Sequence, residues 1–302
     1  MLFDTHSHLN FRAFDSDRDE VAQKCLEQSV WLINVGSNYA TSKMAVEMAE
    51  KYEKGVWAAV GLHPINIKSD REQFSITSYP QGQKNEDDLE DDFDFEKYKE
   101  LAKSSKVVAI GEIGLDANNE PMAAKEKDAF WQKQKEVFLA QLQLAKEFEL
   151  PVILHCRKAH EELSDILVKT MKQWSHETMR AVVHCFTGNW KQAQEYLVMG
   201  LYLGFNGIIF KLDLDEVIAK TPLERILVET DCPFLTPPLA RRSSAESGTE
   251  AAASAEATAS QRNEPINVKY VIQKIAEIKK TTFDQVAKTA TQNAKTLFSV
   301  AD

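Results

Sequence analysis

Short apolar runs alternate with helix-length segments along most of this chain, and few folds accommodate that alternation. Eight runs read as strands: Leu2–His6, Trp31–Val35, Val56–Gly61, Val107–Ile113, Val152–His155, Ala181–Phe186, Leu201–Phe205 and Ile226–Asp231. Most are rich in Val, Ile and Leu and lack polar alternation. Strands covered on both faces look like this, which means a parallel sheet with helices outside it. Asp17–Gln28, Ala40–Tyr52, Asp128–Glu149, His160–Trp174, Trp190–Met199 and Leu214–Lys220 read as the intervening helices, and Val268–Lys279 and Phe283–Leu297 as closing ones. The pattern is clearest where Phe130, Val137, Phe138, Leu142, Ala145 and Phe148 recur at helical spacing and Pro151 marks the end. Eight strands with helices between them predict an α/β fold, a (β/α)8 barrel. The alternative is an open doubly wound sheet, but no glycine-rich dinucleotide loop follows the first strand.

Two polar stretches interrupt the pattern without starting a new domain, so residues 1–302 read as one barrel with two loop insertions. Residues 66–96 end in EDDLEDDFDFE, eight carboxylates in eleven positions at 86–96. With Lys84, the stretch 81–96 carries −7 of the net −10, leaving only −3 elsewhere. The run reads as a solvated insertion, and steering toward nucleic acid is weak overall. Residues 243–260, SSAESGTEAAASAEATAS, lack any large apolar side chain and read as a low-complexity loop. Four cysteines in 302 residues form no disulfide framework, so a reducing compartment is expected, the cytosol first and the nucleus as alternative. No apolar run approaches a membrane span, and the opening MLFDTHSHLN lacks the basic start of a signal peptide.

Imidazoles and carboxylates gather at the carboxyl ends of five predicted strands: Asp4-Thr5-His6-Ser7-His8, Glu112 through Asp116, His155, His184 and Glu229-Thr230-Asp231. In a barrel these ends converge on one face. Side chains two apart in a strand point the same way, so His6 and His8 can reach one metal ion. A lone strand histidine is usually structural, but five strands delivering such groups to one end is a poor match to coincidence. Imidazole and carboxylate without thiolate suit Mg²⁺, Mn²⁺, Fe or Zn²⁺. An acid ending strand four can bridge two ions, the arrangement that serves in-line phosphoryl displacement. Cys156, Cys185 and Cys232 each follow a candidate ligand, so alternation turns them outward as packing residues. Cys25 reads likewise on its helix.

DTHSHLN, GLHP, GEIGLD, PVILHCR, HCFTG, ETDCPFL and RNEP occur in this order from Asp4 to Pro265. Together they resemble the signatures of the TatD family of metal-dependent deoxyribonucleases. The resemblance implies a TIM barrel, two divalent ions (magnesium first, manganese or zinc as alternatives) and hydrolysis of DNA phosphodiesters, often 3′→5′. It implies that His6, His8, Glu112 and Asp231 hold one ion and that Glu112, His155 and His184 hold the other. Glu112 and Asp231 are then the catalytic carboxylates, Asp231 acting on the water. The sequence departs from the family pattern where Asp116 is followed by ANNEP instead of aromatic residues and an arginine. It departs again where residues 243–260 lengthen the loop before RNEP.

DNA is the expected partner, held mainly through its phosphates. His63 is a candidate for a phosphate contact or proton transfer, or else for fixing the turn at Pro64. Arg157 is a candidate phosphate contact, with pairing to an acid as the alternative. Thr187 precedes a helix whose amides can receive an anion, or it belongs to an ordinary cap. Arg262 is a candidate backbone contact, its alternative a local ion pair. Trp31, Trp57 and Trp131 read as core, and His160 and His176 as surface residues. Competing functions are a D-aminoacyl-tRNA deacylase, an amidohydrolase or lactonase, and a non-catalytic scaffold. Many amidohydrolases use a carbamylated lysine after strand four, where this chain has Glu112 and no nearby lysine.

Overall fold

The computed structural model describes residues 1–67, 91–118, 120–121, 123–174, 179–238, 240 and 262–301. Eight strands, β1 (Leu2–Ser7), β2 (Val30–Val35), β3 (Val56–Val60), β4 (Val107–Asp116), β5 (Val152–Arg157), β6 (Ala181–Val183), β7 (Tyr202–Phe205) and β8 (Ile226–Val228), pair in sequential order. Every pairing is parallel. The sheet comes round on itself where Ser7 bridges Cys232, the Asp231 amide donates to the His6 carbonyl at 2.8 Å and the His8 amide to the Cys232 carbonyl at 3.0 Å. This is the TIM barrel that the strand pattern predicts.

Every residue of β2, β3 and β4 is buried, as a strand covered on both faces requires. One apolar layer lies between strands and helices. A second draws a side chain from all eight strands, Phe3, Ile33, Ala59, Val108, Ile153, Val182, Tyr202 and Leu227 among them. Only the barrel interior brings all eight strands together, so this cluster is the packed floor on which the site stands. Leu297 and Phe298 close it from below. Trp31 and Trp57 join the same cluster as core residues, and Trp131 packs half-buried against the outer one.

The helices are α1 (Arg18–Glu27), α2 (Tyr39–Glu50), α3 (Phe95–Ala102), α4 (Ala124–Glu147), α5 (His160–Gln173), α6 (Trp190–Val198), α7 (Asp215–Lys220), α8 (Val268–Lys279) and α9 (Phe283–Phe298) among the described residues. Asn38 starts α2 with a capping box, accepting from the Thr41 amide at 2.9 Å. Helix α3 is not expected from the sequence, because the acidic run hides its start. Asp94 there caps α3 by accepting from the Glu96 and Lys97 amides, and the Asp91 amide donates to the Asn66 carbonyl at 2.7 Å. The last residues of the insertion are thus ordered, while 68–90 and the stretch 243–260 lie outside the described residues. Strands β6 and β8 are shorter than expected because Cys185 (φ 44°) and Asp231 (φ 57°) adopt left-handed backbone that ends a ladder. Among the described residues no helix is long and apolar enough to cross a membrane.

Candidate metal centre

The carboxyl ends of the strands bring His6, His8, Glu112, His155, His184 and Asp231 together, and Glu112 stands in the middle. One of its oxygens, Oε1, lies 2.6 Å from His155 Nδ1, 3.4 Å from His63 Nε2 and 3.6 Å from His184 Nε2. The other, Oε2, lies 3.4 Å from His6 Nε2. Asp231 Oδ1 approaches His8 Nε2 at 3.3 Å, His6 Nε2 at 3.8 Å and His184 Nε2 at 4.0 Å. His8, His63, Glu112, His155, His184 and Asp231 border a cavity of about 720 Å³ that opens at the barrel mouth, with His6 buried behind them. Local backbone makes the convergence possible. Gly114 has φ 147°, and a Cβ there would sit 2.1 Å from the His155 carbonyl oxygen, so glycine lets β4 and β5 close up beside Glu112.

Ring-nitrogen partners show which edge of each histidine is available. His8 Nδ1 lies 2.8 Å from the Val35 carbonyl, which only accepts, so Nδ1 carries the proton and Nε2 offers a lone pair. His184 Nδ1 contacts Glu229 Oε1 at 2.8 Å, as an ion-pair approach rather than an aligned hydrogen bond, and Nε2 faces the site. His155 Nε2 meets Asp116 Oδ2 at 3.0 Å and turns Nδ1 toward Glu112. His63 is the reverse case. Its Nδ1 accepts from the Ile65 amide at 2.9 Å, so in the neutral ring the proton is on Nε2, 3.0 Å from His155 Nδ1. His63 therefore fixes the Pro64 turn with one nitrogen and presents a donor to the site with the other.

Buried His6 Nδ1 has no partner among the described residues. His6 Nε2 and His8 Nε2 face each other at 3.1 Å, a spacing that two ligands of one ion at about 2.0–2.1 Å can adopt. Donor atoms of three sets, His6–His8–Glu112, His6–His184–Asp231 and His63–Glu112–His155, each lie within 4.8 Å of one another. The residues present fit a divalent cation. The second set differs from the grouping implied by the resemblance, since His184 turns to His6 and Asp231 while His63 stands beside Glu112 and His155.

The buried groups of the cluster differ in their hold on protons. Burial opposes protonation of His155, but Asp116 and Glu112 overrule it and raise the ring to about 9. Burial likewise opposes His184, and Glu229 and Glu112 raise it to about 10. Burial and the neighbouring His184 push His6 down to about 4. Glu112 lies well below the usual carboxylate range, because His63, His184 and His155 outweigh its burial. A cation bound here displaces such protons, the usual coupling between metal and ligand protonation.

Arg157 is exposed at the cavity rim, with no side-chain hydrogen bond or ion pair among the described residues. Thr187 is half-buried in the cavity wall, but Asn189 caps α6 and accepts from the Gln192 amide at 3.1 Å, so part of that helix start is already satisfied. Arg262 stands apart. Its guanidinium grips Asp17 at 2.6 and 2.9 Å, lies 4.3 Å from the Phe14 ring centroid and donates to the Ala13 carbonyl. The geometry gives it the local ion pair, and Asp17 consequently makes no side-chain cap on α1.

Two surface and packing expectations need correction. His160 is buried, with Nδ1 3.3 Å from Cys156 Sγ and 3.1 Å from the Tyr196 hydroxyl; α5 turns its first residue inward. His176 lies outside the described residues. Cys156 and Cys232 pack as expected, but the left-handed backbone of Cys185 breaks the alternation and places it in the cavity wall. Supporting residues that the sequence reading left without a role are Glu229, Asp116 and Asp4. Glu229 also accepts from the Cys185 amide at 2.7 Å and Asn206 Nδ2 at 3.2 Å. Asp4 holds the Thr230 amide at 2.8 Å and its hydroxyl at 2.5 Å, tying β1 to the residue before Asp231. All three acids lie within the recognised motifs, which is the signal that marks them.

A family model described as TatD related DNase matches residues 3–299. The uncharacterized metal-dependent hydrolase YabD of Bacillus subtilis (strain 168) is 38% identical over 304 residues, 99% of this chain and 100% of that protein. The 3'-5' ssDNA/RNA exonuclease TatD of Escherichia coli (strain K12) is 31% identical over 306 residues, with the same coverage. Among solved structures, that of YJJV, a TatD homolog from E. coli K12, superposes with a TM-score of 0.72 at 27% identity, covering 99% of this chain and 98% of that one. A TatD family hydrolase from Entamoeba histolytica gives the same TM-score at 20% identity, covering 98% and 97%, which speaks to the fold alone. With its barrel, its mouth of imidazoles and carboxylates, and a family match along nearly its whole length, this chain belongs to the TatD-related DNase family of hydrolases acting on ester bonds.

Proposed function

We propose that this chain is a metal-dependent deoxyribonuclease that hydrolyses DNA phosphodiesters from the 3′ end. The observation that carries the reading is the division of Glu112, whose Oε2 faces His6 while its Oε1 faces His155, His63 and His184. A carboxylate so placed would suit a site shared by two ions. Relatives named as 3'-5' exonucleases support the direction of attack. His6, His8, Glu112 and Asp231 would hold one ion, and Glu112 with His155 and His184 the other. Magnesium is the first expectation, manganese or zinc the alternatives.

Divalent ions in this site would lower the pKa of a water and draw charge from a phosphoryl oxygen. Asp231, whose side chain is 16% exposed at the cavity, accepts a hydrogen bond from the attacking water and orients it. His63 Nε2–H donates to a phosphoryl oxygen, an interaction that strengthens as charge builds there. Arg157 and Thr187 receive neighbouring phosphates. Asp116 and Glu229 keep His155 and His184 from rotating, the task that carboxylates behind metal-binding histidines perform. The four free cysteines fit a reducing compartment, the cytosol.

A 5′-labelled single-stranded oligonucleotide, incubated with each divalent metal in turn, tests this. The expected product is a ladder shortened one nucleotide at a time from the 3′ end. Turnover of a D-aminoacyl-tRNA or a lactone, with the oligonucleotide left intact, would overturn it.

A further inference from the structure

Six large apolar side chains are exposed among the described residues, and two of them, Leu212 and Phe234, border the metal cavity. Phe234 is the aromatic one, 40% exposed. Its ring lies 6.5 Å from that of Phe11 at 72° and 6.5 Å from that of the metal-site residue His8 at 67°. His8 is itself stacked on Phe11 at 4.3 Å. An aromatic edge thus runs from the metal centre out to the rim.

The backbone under Phe234 is tied down. Its amide donates to the Asp231 carbonyl at 2.9 Å, and its carbonyl accepts from Asn263 Nδ2 at 2.8 Å. Asn263 also reaches the Thr230 carbonyl at 3.1 Å and is fully buried. Leu235 is pressed so close to Gly207 that a Cβ there would sit 1.8 Å from its carbonyl oxygen. The fold therefore holds an apolar ring at a wet rim on a fixed support, where burial would have stabilised it more. A ring so placed has a ligand to meet.

Across the mouth the chemistry changes sign. In a ring of eight strands in sequential order, β5 lies opposite β1, which leads to Phe11, and away from its neighbour β8, which leads to Phe234. Arg157 and Lys158 at the end of β5 are exposed and border the same cavity. One wall is aromatic and the other cationic, with about 720 Å³ between them, a volume suited to one small ligand. A single nucleotide matches this pair of walls, with a flat base at one end and a phosphate at the other.

We propose that Phe234, backed by Phe11, is the stacking platform for the base of the 3′-terminal nucleotide, with Arg157 drawing the phosphate chain across the mouth. The proposal rests on the nuclease reading and deepens it. A base lying on Phe234 is neither paired nor stacked on its neighbour, so the site selects single strands or frayed ends. It tolerates any base identity, because every base offers a π-face.

The test uses metal-loaded protein and a single strand ending in 2-aminopurine, with a terminal phosphorothioate to slow cleavage and a dye at the 5′ end. Dye anisotropy reports binding, and quenching of 2-aminopurine reports stacking of the terminal base. We expect the wild type to bind and quench. Phe234→Ala should lose the quenching and bind roughly 5- to 100-fold more weakly, as loss of one stacked base predicts. Phe234→Trp should retain both. On the same strand with an abasic 3′ terminus, wild type and Phe234→Ala should bind alike. Equal quenching by wild type and Phe234→Ala would overturn the platform, as would equal weakening on the abasic strand; in both cases binding and cleavage by the wild type still stand. Failure of the wild type to bind or cut any strand would overturn the nuclease reading and the platform together.

Discussion

His155 and His160 lie on either side of the turn from β5 into α5, the first half-buried in the wall of the cavity and the second buried behind the strand. Their surroundings drive them in opposite directions. His155 sits between Glu112 and Asp116, whose hydrogen bonds overcome its burial and hold it at about 9. His160 faces a thiol, a phenol and the ring of Phe186, and burial pushes it down to about 4. Burial alone disfavours a charged imidazole; carboxylates reverse the sign. The barrel mouth is furnished with such carboxylates, whereas behind β5 the groups touching His160 are neutral and the charge of Glu195 is too weak to offset burial. An imidazole at the mouth is suited to a cation, and one behind the strands to packing.

The sharpest way to break this contrast is to remove the central carboxylate of the mouth. Losing an outer partner of a metal ligand commonly costs 10- to 100-fold, so losing the carboxylate proposed to be shared by two ions should cost more. Glu112→Gln should cut the nuclease rate by roughly 10³-fold or more while the circular dichroism spectrum stays that of the folded barrel. Near-normal rates would dissolve the distinction between the two regions. His63→Ala sharpens it within the mouth, since His63 offers a proton rather than a lone pair. Loss of one donor to developing charge should lower kcat by about 10²- to 10³-fold. Metal content, read by elemental analysis, should be unchanged.

Behind the strands the expected effect is on stability. His160 is at about 4 when folded against an ordinary 6.5, so the unfolded chain binds more protons between those values. The neutral ring's contribution is intact above pH 6.5 and is lost as pH falls toward 4, by roughly 3 kcal/mol in all. His160→Gln should flatten the fall in denaturant-derived stability across that window and leave turnover per folded molecule alone. The smallest effect separates two arginines. Arg262→Ala should cost about 1 kcal/mol through the lost Asp17 pair and Phe14 contact, without altering the salt dependence of DNA binding. Arg157→Ala should reduce that salt slope by roughly one and spare the melting temperature.

The barrel is legible in the sequence because strands covered on both faces lose polar alternation, and the chain repeats that signature eight times. The convergence of the candidate ligands is legible because a barrel sends strand ends to one face, so His155 and Asp231 need no contact information to be placed together. What the sequence hides depends on distant partners or single backbone angles. Arg262 finds Asp17 across 245 positions. Asp4 finds Thr230 across 226. Cys185 leaves its expected side through one left-handed residue. His160 reads as a surface residue until Tyr196 of α6 covers it, and nothing in the motif ETDCPFL shows that Phe234 faces outward.

If the mouth residues hold divalent ions, hydrolysis depends on those ions. Metal titration of chelator-stripped protein, followed by bound-metal analysis and oligonucleotide cleavage in the same samples, tests it most directly. Stripped wild type should be inactive and recover in step with metal uptake. His63→Ala should take up metal without recovering the rate, and Glu112→Gln should regain neither. Stripped protein that cuts DNA as fast as loaded protein would contradict the account.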